Sequence, residues 1–478
     1  MSLLVTLSEY LPAVKRPSRD LSFREKLTWT GIVILLYYVM SEILIYGASS
    51  EQLAQFQQLQ TILGSSIGTL ITLGIGPIVS ASIILQLLVG ADILPWDTNT
   101  SEGKQKFQGT QKLLSYLFAI FEAFAFVGMG AISPEQAGLI PFFVVVFQVA
   151  LGGSLIILMD EIISKWGFGS GVSLIILAGV SKTILIATLS PFTSSVPANL
   201  WFSPAAAGQA PAGVILQIVT ANLQLTNLIG LVATVTIFLI AVYAQSMRVE
   251  IPLTFGNVRG FGQKWPLKFI YTNVIPVIFV GALLSNFQLF TSLLTKRGIE
   301  LTIGGFHIVG KYTGAASPSA DTLIYYFSAP NGLITNVINS ITTFSLQVPP
   351  TQVIQMLLYT SFYMVGSAIF SVFWMQTSGQ DPKSVAEQIA NIGMKVPGHR
   401  KDTRVIEKIL KRYIPPLSVL GGAFVGFLAA VANFTNAFGG GMGILLSVMI
   451  AYQLYEELAK KHMEEMHPAF RKFMQEGV

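Results

Sequence analysis

The chain has 478 residues, 52% of them hydrophobic and 11% charged, with a net charge of +5. Soluble domains carry about 25% charged residues, so this composition excludes a mainly disordered chain and an ordinary soluble enzyme, and suits many membrane helices of about 20 residues each. The absence of cysteine excludes disulfides, thiolate chemistry and Cys-based metal sites.

Ten apolar runs are predicted to span a membrane: roughly 27–46, 69–89, 113–131, 141–159, 172–189, 225–247, 269–290, 353–374, 414–431 and 443–455. Gly and Pro interrupt the second, seventh and tenth. The runs fall where basic residues are missing; residues 27–103 hold no Lys or Arg. Ten spans put both termini on one side. That side would carry 25 of the 29 basic residues, the other four being Lys182, Lys296, Arg297 and Lys311. This asymmetry predicts cytoplasmic termini. The first run lacks a small-residue cleavage site and is read as retained.

Before the second run, Ser50–Ser66 reads as a helix too polar to span, with Leu53, Phe56, Gln60 and Leu63 at helical spacing. Gly64 and Gly68 could hinge it. Such a segment is either a surface loop or a re-entrant element filling a cavity. The fifth run opens Phe168-Gly169-Ser170-Gly171 and continues to Ile176; the tenth opens Phe438-Gly439-Gly440-Gly441 and continues to Leu446. The second run contains Gly76-Pro77 and the seventh contains Pro276. Matching Gly/Pro signatures in the second and fifth helices of each set of five predict an inverted repeat, with the functional site between the halves. The join falls in the Pro/Ala/Gly/Ser-rich stretch 190–213.

Catalytic chemistry is hard to find. His307, His399, His462 and His467 all lie outside the runs, and no HExxH motif or metal cluster occurs. Gly64-Ser65-Ser66-Ile67-Gly68 matches GxSxG without the strand–turn–helix setting or a His partner. Gly439–Gly443 lacks the Lys-Ser/Thr of a phosphate loop, and close helix packing explains it better. Glu122 is read as the one acid deep within a run, with Glu42 near an end. Burying a carboxylate is costly, so Glu122 is read as a polar contact between helices that must separate. An intramembrane hydrolase is therefore disfavoured, and a solute transporter is disfavoured by the scarcity of intramembrane charge.

Several segments resemble one family. Gly68-Thr69-Leu70-Ile71-Thr72-Leu73-Gly74-Ile75-Gly76-Pro77-Ile78-Val79 is similar to the second helix of the SecY family, the large subunit of the protein-conducting translocation channel. Met247-Arg248-Val249-Glu250-Ile251-Pro252-Leu253, Lys411-Arg412-Tyr413-Ile414-Pro415-Pro416-Leu417, Asp381-Pro382-Lys383-Ser384 and Pro397-Gly398-His399-Arg400 resemble its archaeal and eukaryotic branch. The motifs spread over residues 20–455; the loop 291–350 matches no pattern.

The resemblance implies an all-α polytopic fold of ten transmembrane helices in two inverted five-helix halves around an hourglass pore, with a re-entrant plug. The expected division is a cytoplasmic segment 1–26, halves 27–200 and 201–455, and a cytoplasmic tail 456–478. The pore ring falls on Ile75, Val79, Val172, Ile176, Ile278 and Leu446, where Val172 departs from the family's usual Ile. The plug, about 51–65, includes Phe56, Leu59, Ile62 and Leu63. The lateral gate falls on Ser80, Glu122 and Asn286. The loops 248–268 and 377–412 match ribosome-docking loops, with Arg259, Lys264, Arg400, Lys401 and Arg404 as the docking residues; charge alone would equally fit positive-inside topology. The resemblance further implies a heterotrimer with a SecE-type γ subunit and a small β subunit, and contacts with the nascent polypeptide, its signal sequence and lipid. It implies no cofactor and no catalysis, but a passive channel in the plasma membrane driven by a partner such as the ribosome.

Overall fold

The computed structural model describes residues 11–466 apart from 50–63, 91–92, 97–99, 129–131, 137, 191–212, 220–224, 256–261, 273, 297–300, 304–305, 310–311, 314–316, 319–321, 331, 344–347, 392–393, 396–402, 436 and 440. It is mostly helical. Among the described residues, ten long helices follow in chain order: α1 Phe23–Met40, α2 Gly76–Gly90, α3 Ser101–Gly128, α4 Leu139–Trp166, α5 Gly171–Leu189, α6 Leu225–Ser246, α7 Ile275–Lys296, α8 Pro350–Thr377, α9 Thr403–Phe434 and α10 Gly441–Met466. Among the described residues, α3, α4, α5, α8, α9 and residues 227–246 of α6 are long and apolar enough to cross a membrane, and α2 and residues 275–288 of α7 are shorter apolar helices.

Local chemistry explains several boundaries. A capping box starts α1: the Ser22 hydroxyl accepts from the Glu25 amide at 3.3 Å, and the Ser22 amide donates to the Glu25 carboxylate at 3.0 Å. Helix α2 begins at Gly76, not at residue 69 as hydropathy suggested. Residues 69–75 are an irregular turn, yet Thr69, Ile71, Thr72 and Ile75 are fully buried. Non-helical backbone at this depth needs internal partners. Hydroxyls supply them: Thr69 donates to the Ser66 carbonyl and Thr72 to the Thr69 carbonyl, each at 2.6 Å, while Thr72 accepts from the Gly68 amide at 3.1 Å.

The two sets of five helices repeat one contact pattern. In the first, α1 touches α4 and α5, and α2–α3, α3–α4 and α4–α5 pack in succession. In the second, α6 touches α9 and α10, and α7–α8, α8–α9 and α9–α10 pack likewise. The same hydrogen bonds recur at equivalent places. The Phe168 amide donates to the Thr30 hydroxyl of α1 at 3.1 Å, and the Phe438 amide donates to the Thr234 hydroxyl of α6 at 2.8 Å. The sets meet along α2 against α7 and α8, and along α5 against α10.

One large apolar core runs between the helices. A second, smaller core lies at one end, where the strands 248–255, 262–268 and 394–395 form an antiparallel sheet. Ile251 and Leu267 of that sheet pack with Val385 and Ile389 of the helix Pro382–Asn391, and with Ile406, Leu410 and Ile414 of α9. The N-terminal segment is tied to the end of α4: the Val14 amide donates to Glu161 at 3.1 Å, and the Trp166 indole donates to the Lys15 carbonyl at 2.8 Å. Short strand pairs, 301–303 with 306–309 and 312–313 with 317–318, occupy the loop before α8.

Candidate functional site

Five of the six expected ring residues belong to the large core, and Val172 packs against it. Ile75 ends the irregular turn just before α2 and Val79 lies in the first turn of α2, Val172 and Ile176 lie one turn apart at the start of α5, with Ile278 on α7 and Leu446 on α10. Ile75, Ile176 and Leu446 have no exposed surface, and Val79 and Ile278 retain 3%. Val172 is half-buried against the same core.

A cavity of about 380 Å³ ends at this ring. Its wall carries polar groups of α2, α3 and α4, including Ser82, Gln108, Gln111, Asp160 and Ser164, and its apolar part includes Val79, Val172 and Ile278. A larger cavity of about 880 Å³ lies beneath the N-terminal segment and shares Gln108, Gln111, Asp160 and Ser164. Ile75, Ile176 and Leu446 line neither. The smaller cavity thus has a polar wall and an apolar part that includes Val79, Val172 and Ile278. Aliphatic side chains around a narrow passage would exclude water and ions by dewetting, and can move aside because they form no fixed hydrogen bonds.

The three expected gate residues meet one another. The Ser80 hydroxyl of α2 donates to Glu122 Oε1 of α3 at 2.9 Å and accepts from the Asn286 amide nitrogen of α7 at 3.3 Å. Glu122 is buried, whereas Ser80 and Asn286 are half-buried. One small hydroxyl thus links helices of both halves where α2 meets α7.

The other expected residues are spread out. Phe56, Leu59, Ile62 and Leu63 lie outside the described residues, as do Arg259, Arg400 and Lys401. Lys264 sits in the strand 262–268 and Arg404 in the first turn of α9. The end of the segment before α2 is anchored: Gly64 packs on α5, and its carbonyl accepts from the Tyr37 hydroxyl at 3.0 Å. Gly64 has φ +54° and a Cβ there would lie 3.0 Å from Ile175, so both backbone and space require glycine.

Two polar groups escaped the hydropathy reading. Asp160, one residue past the expected fourth run, lies in α4 and accepts from the Val172 amide at 2.8 Å. Asn433 of α9 accepts from the Met442 amide at 3.0 Å. The acid eight residues before Phe168 was visible, but its partner was not. Among the described residues no group of three or more His, Asp or Glu could hold a metal ion.

Comparison with known proteins places this geometry. Residues 69–455 match the SecY family and residues 35–68 match the plug domain of Sec61p. The protein translocase subunit SecY of Methanocaldococcus jannaschii is 41% identical over 99% of this chain and 100% of its own length. The corresponding subunit of Haloferax volcanii is 39% identical over 96% of both chains. A solved structure of a protein conducting channel superposes with a TM-score of 0.81 at 40% identity, covering 98% of this chain and 99% of that one. Sec61 in a canine ribosome–channel complex from the endoplasmic reticulum gives 0.78, also at 40% identity, over 98% and 99%.

Proposed function

The chain belongs to the SecY family, and from that premise we propose how it works as the protein-conducting subunit of a protein translocase. The observation that carries the reading is a cavity with polar walls whose apolar part includes Val79, Val172 and Ile278, which we read as the mouth of the ring. An unfolded secretory chain enters the vestibule, parts Ile75, Val79, Val172, Ile176, Ile278 and Leu446, and crosses. No covalent step falls to this subunit, which is a channel and not a catalyst; the driving force comes from a partner such as the ribosome.

Apolar segments leave sideways between α2 and α7, where Ser80, Glu122 and Asn286 form the lateral gate. Removing the Ser80 hydroxyl leaves Glu122 without this partner. Losing a buried hydrogen bond costs about 1–3 kcal/mol, so Ser80→Ala should raise acceptance of weakly hydrophobic signal sequences about tenfold. A translocation assay over a graded signal series measures this, and an unchanged threshold would contradict the gate role.

The plug is the segment around 51–65, including Phe56, Leu59, Ile62 and Leu63, with Gly64 and Gly68 as its hinge. Arg259, Lys264, Arg400, Lys401 and Arg404 dock the ribosome through loops 248–268 and 377–412; the likeness to ribosome-bound Sec61 supports this. The charge asymmetry supports cytoplasmic termini; the proposed location is the plasma membrane, and the proposed division is 1–26, 27–200, 201–455 and 456–478. A SecE-type γ subunit and a small β subunit complete the heterotrimer.

The direct test uses the lack of cysteine. Single cysteines at Ile176, Val79 and Leu446 should crosslink to a secretory chain stalled on a ribosome. A cysteine at Leu185, exposed on the same helix as Ile176, should not. Silence at all three ring positions in an engaged complex would overturn the pore assignment.

A further inference from the structure

We infer that Asp160 and Asn433 are paired positioning residues that hold the first turns of α5 and α10 closed, and thereby set the seal of the pore ring; this rests on the ring reading above. The first-turn amides of a helix have no partner within it and need a cap. At α5 the residue in the cap position, Ser170, makes no side-chain cap hydrogen bond. The acceptor comes from α4, where Asp160 Oδ1 takes the Val172 amide at 2.8 Å. The approach depends on Gly171: a Cβ there would lie 2.4 Å from the Asp160 Cα and 2.6 Å from its Oδ1.

The second half repeats the device with a different side chain. Asn433 of α9 accepts from the Met442 amide at 3.0 Å through Oδ1 and donates through Nδ2 to the Tyr359 hydroxyl of α8 at 2.7 Å. Val172 and Met442 stand four residues after Phe168 and Phe438, whose amides already make matching bonds to Thr30 and Thr234. Both halves thus pin the same turn twice, once to their first helix and once to their fourth.

These turns carry the seal. Val172 is itself a ring residue, Ile176 lies one turn on, and Leu446 lies one turn beyond Met442. The two helices pack on each other across the halves. Asp160 also borders both cavities, where a carboxylate that lost its amide partner would turn to water and leave the α5 turn free to follow. Because an amide serves in the second half, the shared requirement is an acceptor oxygen and not a negative charge.

The test is closed-state ion conductance of the purified heterotrimer in planar bilayers without substrate, with thermal stability measured in parallel. Asp160→Ala and Asn433→Ala should each raise basal conductance about tenfold, as loss of one buried hydrogen bond shifts a closed–open balance. Asp160→Asn and Asn433→Asp keep the oxygen and should stay within about twofold of the parent. Lower stability with unchanged conductance in both alanine variants would reduce the pair to fold stabilisers and overturn the inference. An Asp160→Asn channel as leaky as Asp160→Ala would overturn it by making charge the requirement. Ile176→Ser is the control: if it does not leak, the ring reading itself fails, whereas a leak there with tight alanine variants sinks only the positioning role.

Discussion

Replacing Gly152 by alanine is expected to prevent normal assembly of the first half, with a loss of about 3 kcal/mol or more. Gly152 lies on α4 against the irregular turn before α2. A Cβ there would stand 1.6 Å from the Leu70 carbonyl oxygen and 2.8 Å from its carbon. Both atoms are backbone and cannot rotate away. The Leu70 amide is itself held by the Ile43 carbonyl at 2.8 Å, so the turn cannot retreat without breaking that bond. Two neighbours calibrate the effect. At Gly153 the Cβ would meet side-chain atoms, Leu73 Cδ1 at 3.1 Å and Ala119 Cβ at 3.3 Å, so Gly153→Ala should cost about 1 kcal/mol. At Gly128 it would meet the Phe142 ring at 3.8 Å, ordinary contact, so Gly128→Ala should lie within about 0.5 kcal/mol of the parent. Thermal unfolding of the detergent-purified protein ranks the three. Equal stability of the Gly152 and Gly128 variants would contradict the packing argument.

That turn also marks where hydropathy ran out. Charge gaps located all ten long helices, because Lys and Arg are too costly to leave in hydrocarbon. Their ends were less legible. An apolar run from residue 69 looks like helix, but Thr69 and Thr72 cap backbone groups locally and the helix waits until Gly76. At α9 the error is opposite: the helix starts at Thr403, before the apolar run, and passes through Pro415-Pro416. Its amphipathic first turns bury Ile406 and Leu410 against the small sheet while Lys and Arg face outward, a pattern that a search for uninterrupted apolar stretches misses. The sheet itself, 248–255 with 262–268, reads as loop in the sequence although Val249, Ile251, Leu253 and Phe255 alternate with other residues, because Pro252 and Pro266 interrupt both strands.

The site was legible to differing depths. Ring and gate residues were proposed from the likeness of local motifs, and Ser80, Glu122 and Asn286 do meet through bonds between residues as much as 206 positions apart. The paired caps were not legible, since nothing near Asp160 or Asn433 names an amide 12 or 9 residues away as its partner. The duplicated Phe-Gly motifs pointed to the right turns without giving the reason for their repetition.

Converting the waist to a polar one should produce the largest functional change. In the double variant Ile176→Ser with Leu446→Ser, two side chains without exposed surface are replaced by short hydroxyl groups. Each change removes aliphatic packing worth about 2–5 kcal/mol and leaves room for water with a hydrogen-bonding partner. On the proposed ring, water could then continue past Val79, Val172 and Ile278, which line the cavity. Since each 1.4 kcal/mol is a factor of ten, closed-state conductance should rise about a hundredfold or more in bilayers. Volume alone is not the cause, and a comparison isolates polarity. Ile176→Val with Leu446→Val shortens the same side chains but keeps them apolar, so it should leak far less. Secretory chains should still cross both channels, because passage needs no fixed bond to the ring. If the Val pair conducts ions as freely as the Ser pair, the barrier is one of size and not of dewetting. If neither leaks, the closure lies elsewhere along the pore.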